Sequence, residues 1–520
     1  MPSRNRRHRA RSVVGVLARV ATFAIDGVDP RRVLVEVDIR QGLPAFTIVG
    51  LGDAAVRESR ERIRAAILNS GYAFPQQRIT ANLAPASLRK AGPGFDAALA
   101  LAILAASSQI GADALARVAV FGELSLGGEI RDSPGVLAVA EGARRAGIRR
   151  LIVPVERARE AALVDGLEVA GVGGLKAAVA AVLADEPPPL PGDQARVRAV
   201  PQPDLADVRG HEVPLLALQI AAAGGHNLLL EGPPGTGKTM LARRLPSILP
   251  ALTRAQALEV TRIHSVAGIH REGLIETRPF RAPHHSISAA GLVGGGSPLR
   301  PGEATLAHRG VLFLDELSEF QRSTLDALRQ PLEDGRVSIV RGQRALVFPT
   351  RFVLVAATNP CPCGYAGVGE LCRCAEPDIR RHQRRMSGPL LDRMDLLVSV
   401  QRPLDEELRG PATIDSPRAR ERVAVARARQ WARLRGTSAT CNGELDARLA
   451  RIHIRLDERA EVAIARAYAA GALSARGRHR VLRVARTIAD LAGRDRTSES
   501  DVLLALSLRQ RAAGEGTLAA

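Results

Sequence analysis

Apolar and polar positions along this 520-residue chain change period several times, and each change predicts an element. Ordered pattern begins near Val16. Arg32 to Arg40, RVLVEVDIR, alternates apolar and polar side chains, the period-2 signature of a half-buried strand, and Leu43 to Gly50 reads as a second strand. Ala54 to Asn69 repeats its apolar positions at helical spacing, and Ser70-Gly71 stops it. Pro93-Gly94 precedes an apolar helix from Phe95 to Ala106. Short apolar runs at Val118 to Gly122 and Leu151 to Pro154 predict further strands, with a helix from Ala138 to Ala146 between them. These elements predict an α/β domain over residues 15–185, behind a basic extension at 1–14.

Glu186 to Asp204 contains PPPLP, PGD and PQP. That proline density prevents both helix and central strand, so residues 186–203 read as a linker. A second α/β region, 204–402, carries buried-strand runs at His226 to Glu231, Val311 to Leu314 and Phe352 to Ala357. Val337 to Val347 has a strand–turn–strand pattern with Arg341 and Arg344 at its turn. Residues 403–512 read as nearly all helical, broken at Gly410-Pro411 and Arg435-Gly436. Ser498-Glu-Ser-Asp501 is a capping box that opens a last helix, Val502 to Arg511.

The first run of the second region leads straight into Gly232-Pro233-Pro234-Gly235-Thr236-Gly237-Lys238-Thr239, and a helical pattern follows. Strand, glycine loop, helix is the context of a P-loop. Its backbone N–H groups and the helix N-terminus form a cradle for phosphate. Lys238 is placed to reach the β- and γ-phosphates of a nucleotide, and Thr239 to hold Mg²⁺. Lysine occurs only at Lys90, Lys176 and Lys238, whereas arginine supplies the other side-chain positive charge. A compact ammonium suits the cradle and a planar guanidinium does not.

The run Val311 to Leu314 ends in Asp315-Glu316. At the C-terminal edge of a parallel sheet, Asp315 is expected in the Mg²⁺ shell and Glu316 as the group that activates the attacking water. The third strand ends in Asn359, placed to contact that water or the γ-phosphate. Gly388-Pro-Leu-Leu-Asp392-Arg393 then presents an arginine expected to project toward a neighbouring subunit; the alternative is a salt bridge to Asp392 or Asp395.

Net charge of +19 and a pI near 11.1 make an anionic partner, nucleic acid first, worth testing. Aromatics are only 3%, too few for a base-stacking platform, so arginine–phosphate contacts would dominate. The longest apolar stretch, Ala97 to Ile110, is too short to span a bilayer, and MPSRNRRHRARS lacks the apolar core of a signal peptide. A cytoplasmic protein is expected.

Four of five cysteines share one loop, Cys361, Cys363, Cys372 and Cys374. Four thiolates suit a tetrahedral zinc site, although C-x-C spacing is tighter than the commoner C-x₂-C; reduced thiols or redox pairing are the alternatives. Cys441 stands apart and reads as a small core residue. His284-His285 suggests a metal, but adjacent residues of an extended segment point opposite ways, which argues against a shared ligand role. Gly294-Gly-Gly296 reads as a flexible loop rather than a second phosphate cradle.

Beyond these motifs, GLPAFTIVGL (42–51), RESRERIRAAILNSG (57–71), RPFRAPHHSIS (278–288), GVLFLDELSEF (310–320), ALRQPLEDG (327–335), NPCPCGY (359–365) and SGPLLDRMDL (387–396) together resemble the magnesium-chelatase-like AAA+ ATPases of the YifB/ComM group. The resemblance covers about Val14 to Arg511. It implies an ATP hydrolase using Mg²⁺, and a homo-hexameric ring with ATP sites between subunits. In it Asn359 would be sensor 1 and Arg393 a finger acting in trans. Ser474-Ala-Arg476 resembles the sensor 2 pattern of the helical lid, with Arg480 and Arg483 as neighbouring alternatives. In related ring helicases a hairpin before sensor 1 lines the pore, which makes Arg341 and Arg344 the DNA-contact candidates. The N-terminal domain resembles the Lon-protease-like fold, with Gly94 where a nucleophilic serine would be and Leu137 where the lysine would be, so it is not expected to cut peptides. The function implied is a DNA motor, a helicase or branch-migration factor in recombination during natural transformation. A chelatase-type ATPase and a protein-remodelling ring are the alternatives.

Overall fold

The computed structural model describes residues 17–90, 92–190, 202–269, 273–296, 299–341, 344–386 and 388–509. The basic extension at 1–14 and most of the expected linker, at 191–201, lie outside them. Packing divides the chain into two compact units, Met1–Arg196 with Thr261–Leu274, and Val197–Val260 with Ile275–Ala520.

The first unit is built on strands β1 (Ala18–Asp26), β2 (Asp29–Arg40), β3 (Ala45–Val49), β4 (Arg78–Ala84), β5 (Val118–Val120), β6 (Arg150–Pro154) and β7 (Glu168–Val172). They form one mixed sheet in the order β3-β4-β2-β1-β5-β6-β7. β1 and β2 pair antiparallel, as do β2 and β4, whereas β5, β6 and β7 run parallel. Helices α1 (Ala54–Asn69), α2 (Asp96–Ala106), α3 (Val136–Arg145) and α4 (Leu175–Leu183) cover it. Every residue of α2 is buried, which accounts for its apolar composition without a membrane. β1, β4 and β7 were not separated by the hydrophobic pattern; β1, for instance, buries five consecutive residues and so shows no alternation. Thr261–Leu274 joins this unit through the ion pair Arg262–Glu141 at 2.9 Å and the bond from Gly135 N to Ser265 O at 3.1 Å.

The second unit centres on a five-stranded parallel sheet. Its strands are β8 (Leu228–Glu231), β9 (Phe280–Arg281), β10 (Val311–Leu314), β13 (Val353–Thr358) and β14 (Leu396–Ser399), in the order β9-β10-β13-β8-β14. The intervening β11 (Arg336–Arg341) and β12 (Arg344–Pro349) form a separate antiparallel hairpin. The parallel strands read as continuous apolar runs because both faces are covered. Leu228, Leu230, Phe313, Val355 and Val398 enter one core, and Leu229, Leu312, Leu314, Leu354 and Ala356 enter another. Helices α5 (Glu212–Gly224) and α6 (Lys238–Ile248) flank the sheet. α7 (Arg254–Val266) starts in this unit, its residues from Thr261 belonging to the first, and α8 (Glu376–Arg385) precedes β14. The chain ends in α9 (Ser416–Arg433), α10 (Glu458–Ala469), α11 (Ala475–Leu491) and α12 (Glu499–Ser507). Ser498 and Asp501 form the expected capping box at α12. No helix among the described residues is long and apolar enough to cross a membrane.

Candidate active site

The glycine loop leaves the C-terminal end of β8 between two neighbouring strand ends. Gly232 N donates to Thr358 O at 3.2 Å, and a Cβ at Gly232 would lie 2.2 Å from Val400 O, so only glycine fits. Gly235 and Gly237 take φ of +76° and +86°, turning the loop into α6. Lys238 is buried and folds back over the loop: its Nζ donates to Gly232 O at 2.6 Å, Pro233 O at 2.8 Å and Asn359 Oδ1 at 3.1 Å. Burial lowers its pKa, opposed by the charges of Asp315 and Glu231. Thr236 Oγ1 donates to Pro233 O at 2.9 Å, which braces the turn behind Pro234.

Thr239 Oγ1 donates to Asp315 Oδ2 at 2.7 Å, so the first turn of α6 and the end of β10 present a hydroxyl and a carboxylate to one point. These are hard oxygen donors suited to Mg²⁺. Glu316 stands next to them with φ of 52°, a left-handed conformation that turns it off the strand direction, and its side chain is 58% exposed. His285 Nδ1 lies 3.5 Å from Glu316 Oε2.

That histidine corrects an expectation. Residues 284–287 form a turn rather than extended chain, with Ile287 N bonded to His284 O at 3.0 Å and His284 Nδ1 beside Ser286 Oγ at 2.8 Å. The two rings therefore lie side by side, 4.0 Å between centroids, instead of on opposite sides. Nothing local in the sequence brings His285 to Glu316, 31 residues further on; the turn does. Gly294 and Gly295 pair with Arg300 and Pro301 in a two-residue ladder.

Arg393 and Arg476 occupy the opposite edge of the sheet. A groove of ≈ 1200 Å³ runs beneath the N-terminal ends of the strands, lined by Asn227, Gly310, Val353 and Asp395 and by both arginines. β8 alone separates the two edges by about 13 Å. Arg393 pairs with Glu333, neither of the acids weighed from the sequence. Beneath it, Asn227 donates to Arg393 O at 3.0 Å and accepts from Leu354 N at 2.9 Å.

The sensor 2 alternatives separate in this groove. Arg483 binds Asp395 at 2.7 Å and Arg480 lies 3.9 Å from the same carboxylate, whereas Arg476 is exposed on the first turn of α11 and forms no ion pair among the described residues. Burial works against charge on Asp395, but Arg483, His226 and Arg480 outweigh it and hold the carboxyl well below the ordinary range. Burial lowers the pKa of His226 in spite of Asp395, and its Nε2 lies 2.7 Å from Thr487 Oγ1.

Arg341 and Arg344 close the β11–β12 ladder as a directly paired couple; Gly342 and Gln343 between them lie outside the described residues. Cys361, Cys363, Cys372 and Cys374 bring their Sγ atoms within 4.8 Å of one another. Cys441 is buried elsewhere, as expected of a core residue. In the first unit a Cβ on Gly94 would lie 2.6 Å from the Phe121 ring, and Leu137 is fully buried.

A glycine loop on β8, an interior strand of a parallel sheet, with paired acids at the end of β10 two strands away and a polar tip on β13 between them, defines a P-loop ATPase of the AAA+ class. Profiles described as magnesium chelatase subunit ChlI match residues 204–408, subunit ChlI of Mg-chelatase 35–157, and the ChlI C-terminal region 413–509. Protein YifB of Escherichia coli (strain K12) is 41% identical over 496 residues, covering 95% of this chain and 97% of YifB. Competence protein ComM of Haemophilus influenzae is 40% identical over 504 residues, with the same shares, 95% and 97%. The magnesium-chelatase 38 kDa subunit of Cereibacter sphaeroides is 26% identical over 198 residues, 35% of this chain and 53% of that subunit. The chain belongs to the magnesium-chelatase-like AAA+ family, in its YifB/ComM group.

Proposed function

We propose that this protein is a ring-shaped, ATP-driven DNA motor, a helicase or branch-migration factor of the kind used in recombination during natural transformation. The observation that carries the reading is the β11–β12 hairpin, inserted between the hydrolytic strand β10 and the sensor strand β13 and closed by Arg341 opposite Arg344. A hairpin joined directly to the sensor strand can move when Asn359 responds to the γ-phosphate. Guanidinium groups at its turn would hold DNA phosphates without reading sequence. The net charge of +19 and the full-length likeness to a competence protein point the same way.

In this reading Gly232 to Gly237 wrap the phosphates and Lys238 leaves its loop carbonyls for the β- and γ-oxygens. Thr239 and Asp315 would hold Mg²⁺, which would supply charge neutralisation at the phosphates. Glu316 takes a proton from the attacking water, and Asn359 orients that water or the γ-phosphate. Arg393 and Arg476 lie at the edge away from their own glycine loop, so each would serve the nucleotide of a neighbouring subunit in a homo-hexamer. The domain order 15–185, 186–203, 204–402 and 403–512 would place a Lon-like, non-proteolytic domain before the motor. The crowding at Gly94 agrees with the loss of a nucleophile there.

The test is ATPase rate with and without single-stranded and forked DNA at two salt concentrations, with Glu316→Gln as the hydrolysis-dead control. The expected result is strong stimulation that weakens with salt. A rate indifferent to DNA under ring-forming conditions would overturn the DNA-motor reading and favour a chelatase-type or protein-remodelling ring.

A further inference from the structure

The sensor strand runs directly into the cysteine loop: Cys361 follows Asn359 by two residues. Cys361 Sγ lies 3.4 Å from Cys363 Sγ and 3.8 Å from Cys372 Sγ, and Cys363 and Cys372 are 3.7 Å apart. A tetrahedron with Zn–S bonds of about 2.3 Å has S···S edges of about 3.8 Å. The shortest of these three separations is within the C-x-C pair Cys361/Cys363. Disulfides would draw the sulfurs into two bonded pairs, whereas here three sulfurs are mutual neighbours and the fourth lies within 4.8 Å. Ala366 N donates to Cys361 Sγ at 3.2 Å, the kind of N–H···S contact that favours a thiolate.

The loop is also fastened to the nucleotide site at both ends. Gly364, at φ +87°, lies so close to the glycine loop that a Cβ would stand 2.6 Å from Pro234 Cδ. After the last cysteine, α8 brings buried His382 back to Asn359, with Nε2 3.1 Å from its backbone oxygen. Between Cys361 and α8 the only regular structure is the short 3₁₀ turn Gly369–Leu371. So irregular a loop has little backbone bonding of its own, and a metal cross-link would supply the missing constraint.

We propose that Cys361, Cys363, Cys372 and Cys374 form a tetrathiolate Zn²⁺ site that positions Asn359 and Pro234 at the edge of the ATP site. The positioning part rests on the ATPase reading above; the metal part does not. A bound Zn²⁺ supplies no chemistry to hydrolysis, being closed to water by four sulfurs. It fixes where the sensor amide points.

The experiment measures zinc in full-length protein purified without a metal-affinity step, with cobalt substitution as the second readout. About one zinc per chain is expected, falling below a tenth in Cys372→Ser/Cys374→Ser and retained in Cys441→Ser. Cobalt should give the intense visible bands of tetrahedral thiolate ligation. Less than about a tenth of an equivalent in the wild type, with thiols fully reactive, would overturn the site. Chelation of the wild-type ring should lower kcat at least about tenfold with less change in KM, and zinc should restore it. Zinc present but kcat indifferent to its removal would overturn the positioning role. Zinc and cobalt signatures in a chain without ATPase activity would sustain the metal site and fail the ATPase reading instead.

Discussion

Lys238 Nζ lies 3.1 Å from Asn359 Oδ1, which joins the glycine loop to the residue that follows β13. The contact follows from register, because β8 and β13 run parallel with Glu231 opposite Thr358. Phosphate oxygens would compete for the same ammonium, so nucleotide binding should free the Asn359 amide.

Asn359→Ala is therefore expected to leave ATP affinity within a few-fold of wild type and to lower kcat by about 10²-fold, the scale for losing one preorganised polar contact to a developing charge. Lys238→Ala should instead abolish binding. Fluorescent-nucleotide titration beside steady-state hydrolysis separates the two; loss of affinity in Asn359→Ala would show that the residue serves binding rather than the chemical step.

Glu316 and His285 form the second pair with a consequence. Glu316→Gln should lower kcat by at least about 10²-fold while ATP still binds, as expected for a general base. His285 lies beside the Glu316 carboxylate, so His285→Ala should lower kcat several-fold with KM unchanged. An unaltered kcat in His285→Ala, with wild-type folding, would mean that the 3.5 Å approach has no part in positioning the base.

Stability of the first unit should depend on pH through Asp96, which is buried against α1 and bonded to Arg62 at 3.0 Å. Burial raises its pKa from 3.8 to about 6, in spite of Arg62. The folded state thus holds a proton that the unfolded chain has released anywhere between those values. The contribution of Asp96 to stability should rise as pH falls through that window, at no more than about 1.4 kcal/mol per unit, and level off on either side. Asp96→Asn has no such titration, so the difference between the two proteins, read by chemical denaturation, should change over that window. A constant difference would refute the assignment.

How much of this was legible in the chain depended on whether the signal was local. The glycine loop, Asp315-Glu316 and the strand leading to Asn359 are contiguous patterns, and the fold places their ends together as parallel pairing requires. The capping box Ser498–Asp501 was equally readable, for the same reason. Partners set by tertiary approach were not. Glu333 reaches Arg393 from 60 residues upstream, and the pairing of Arg483 with Asp395, 88 apart, is what distinguishes it from Arg476. His285 failed for a different cause: a turn replaced the extended chain assumed for it. β1 escaped notice because consecutive burial erases the alternation that marks a strand.

The separation of Arg393 from its own glycine loop carries the last prediction. Arg393 sits below the N-terminal ends of the strands, and Glu316 follows the C-terminal end of β10. If each ATP is shared by two subunits, a chain lacking the arginine and a chain lacking the base should repair one another. Arg393→Ala and Glu316→Gln proteins are each expected to be nearly inactive alone. In randomly mixed rings at equal ratio, about a quarter of interfaces pair an intact Glu316 with an intact neighbouring Arg393, as cyclic head-to-tail assembly dictates. Hydrolysis in the mixture should rise well above both parents and follow the product of the two fractions as the ratio is varied. Activity that stays at the parental level, while native mass spectrometry shows mixed rings, would place Arg393 in a structural role with Glu333 and remove it from the site.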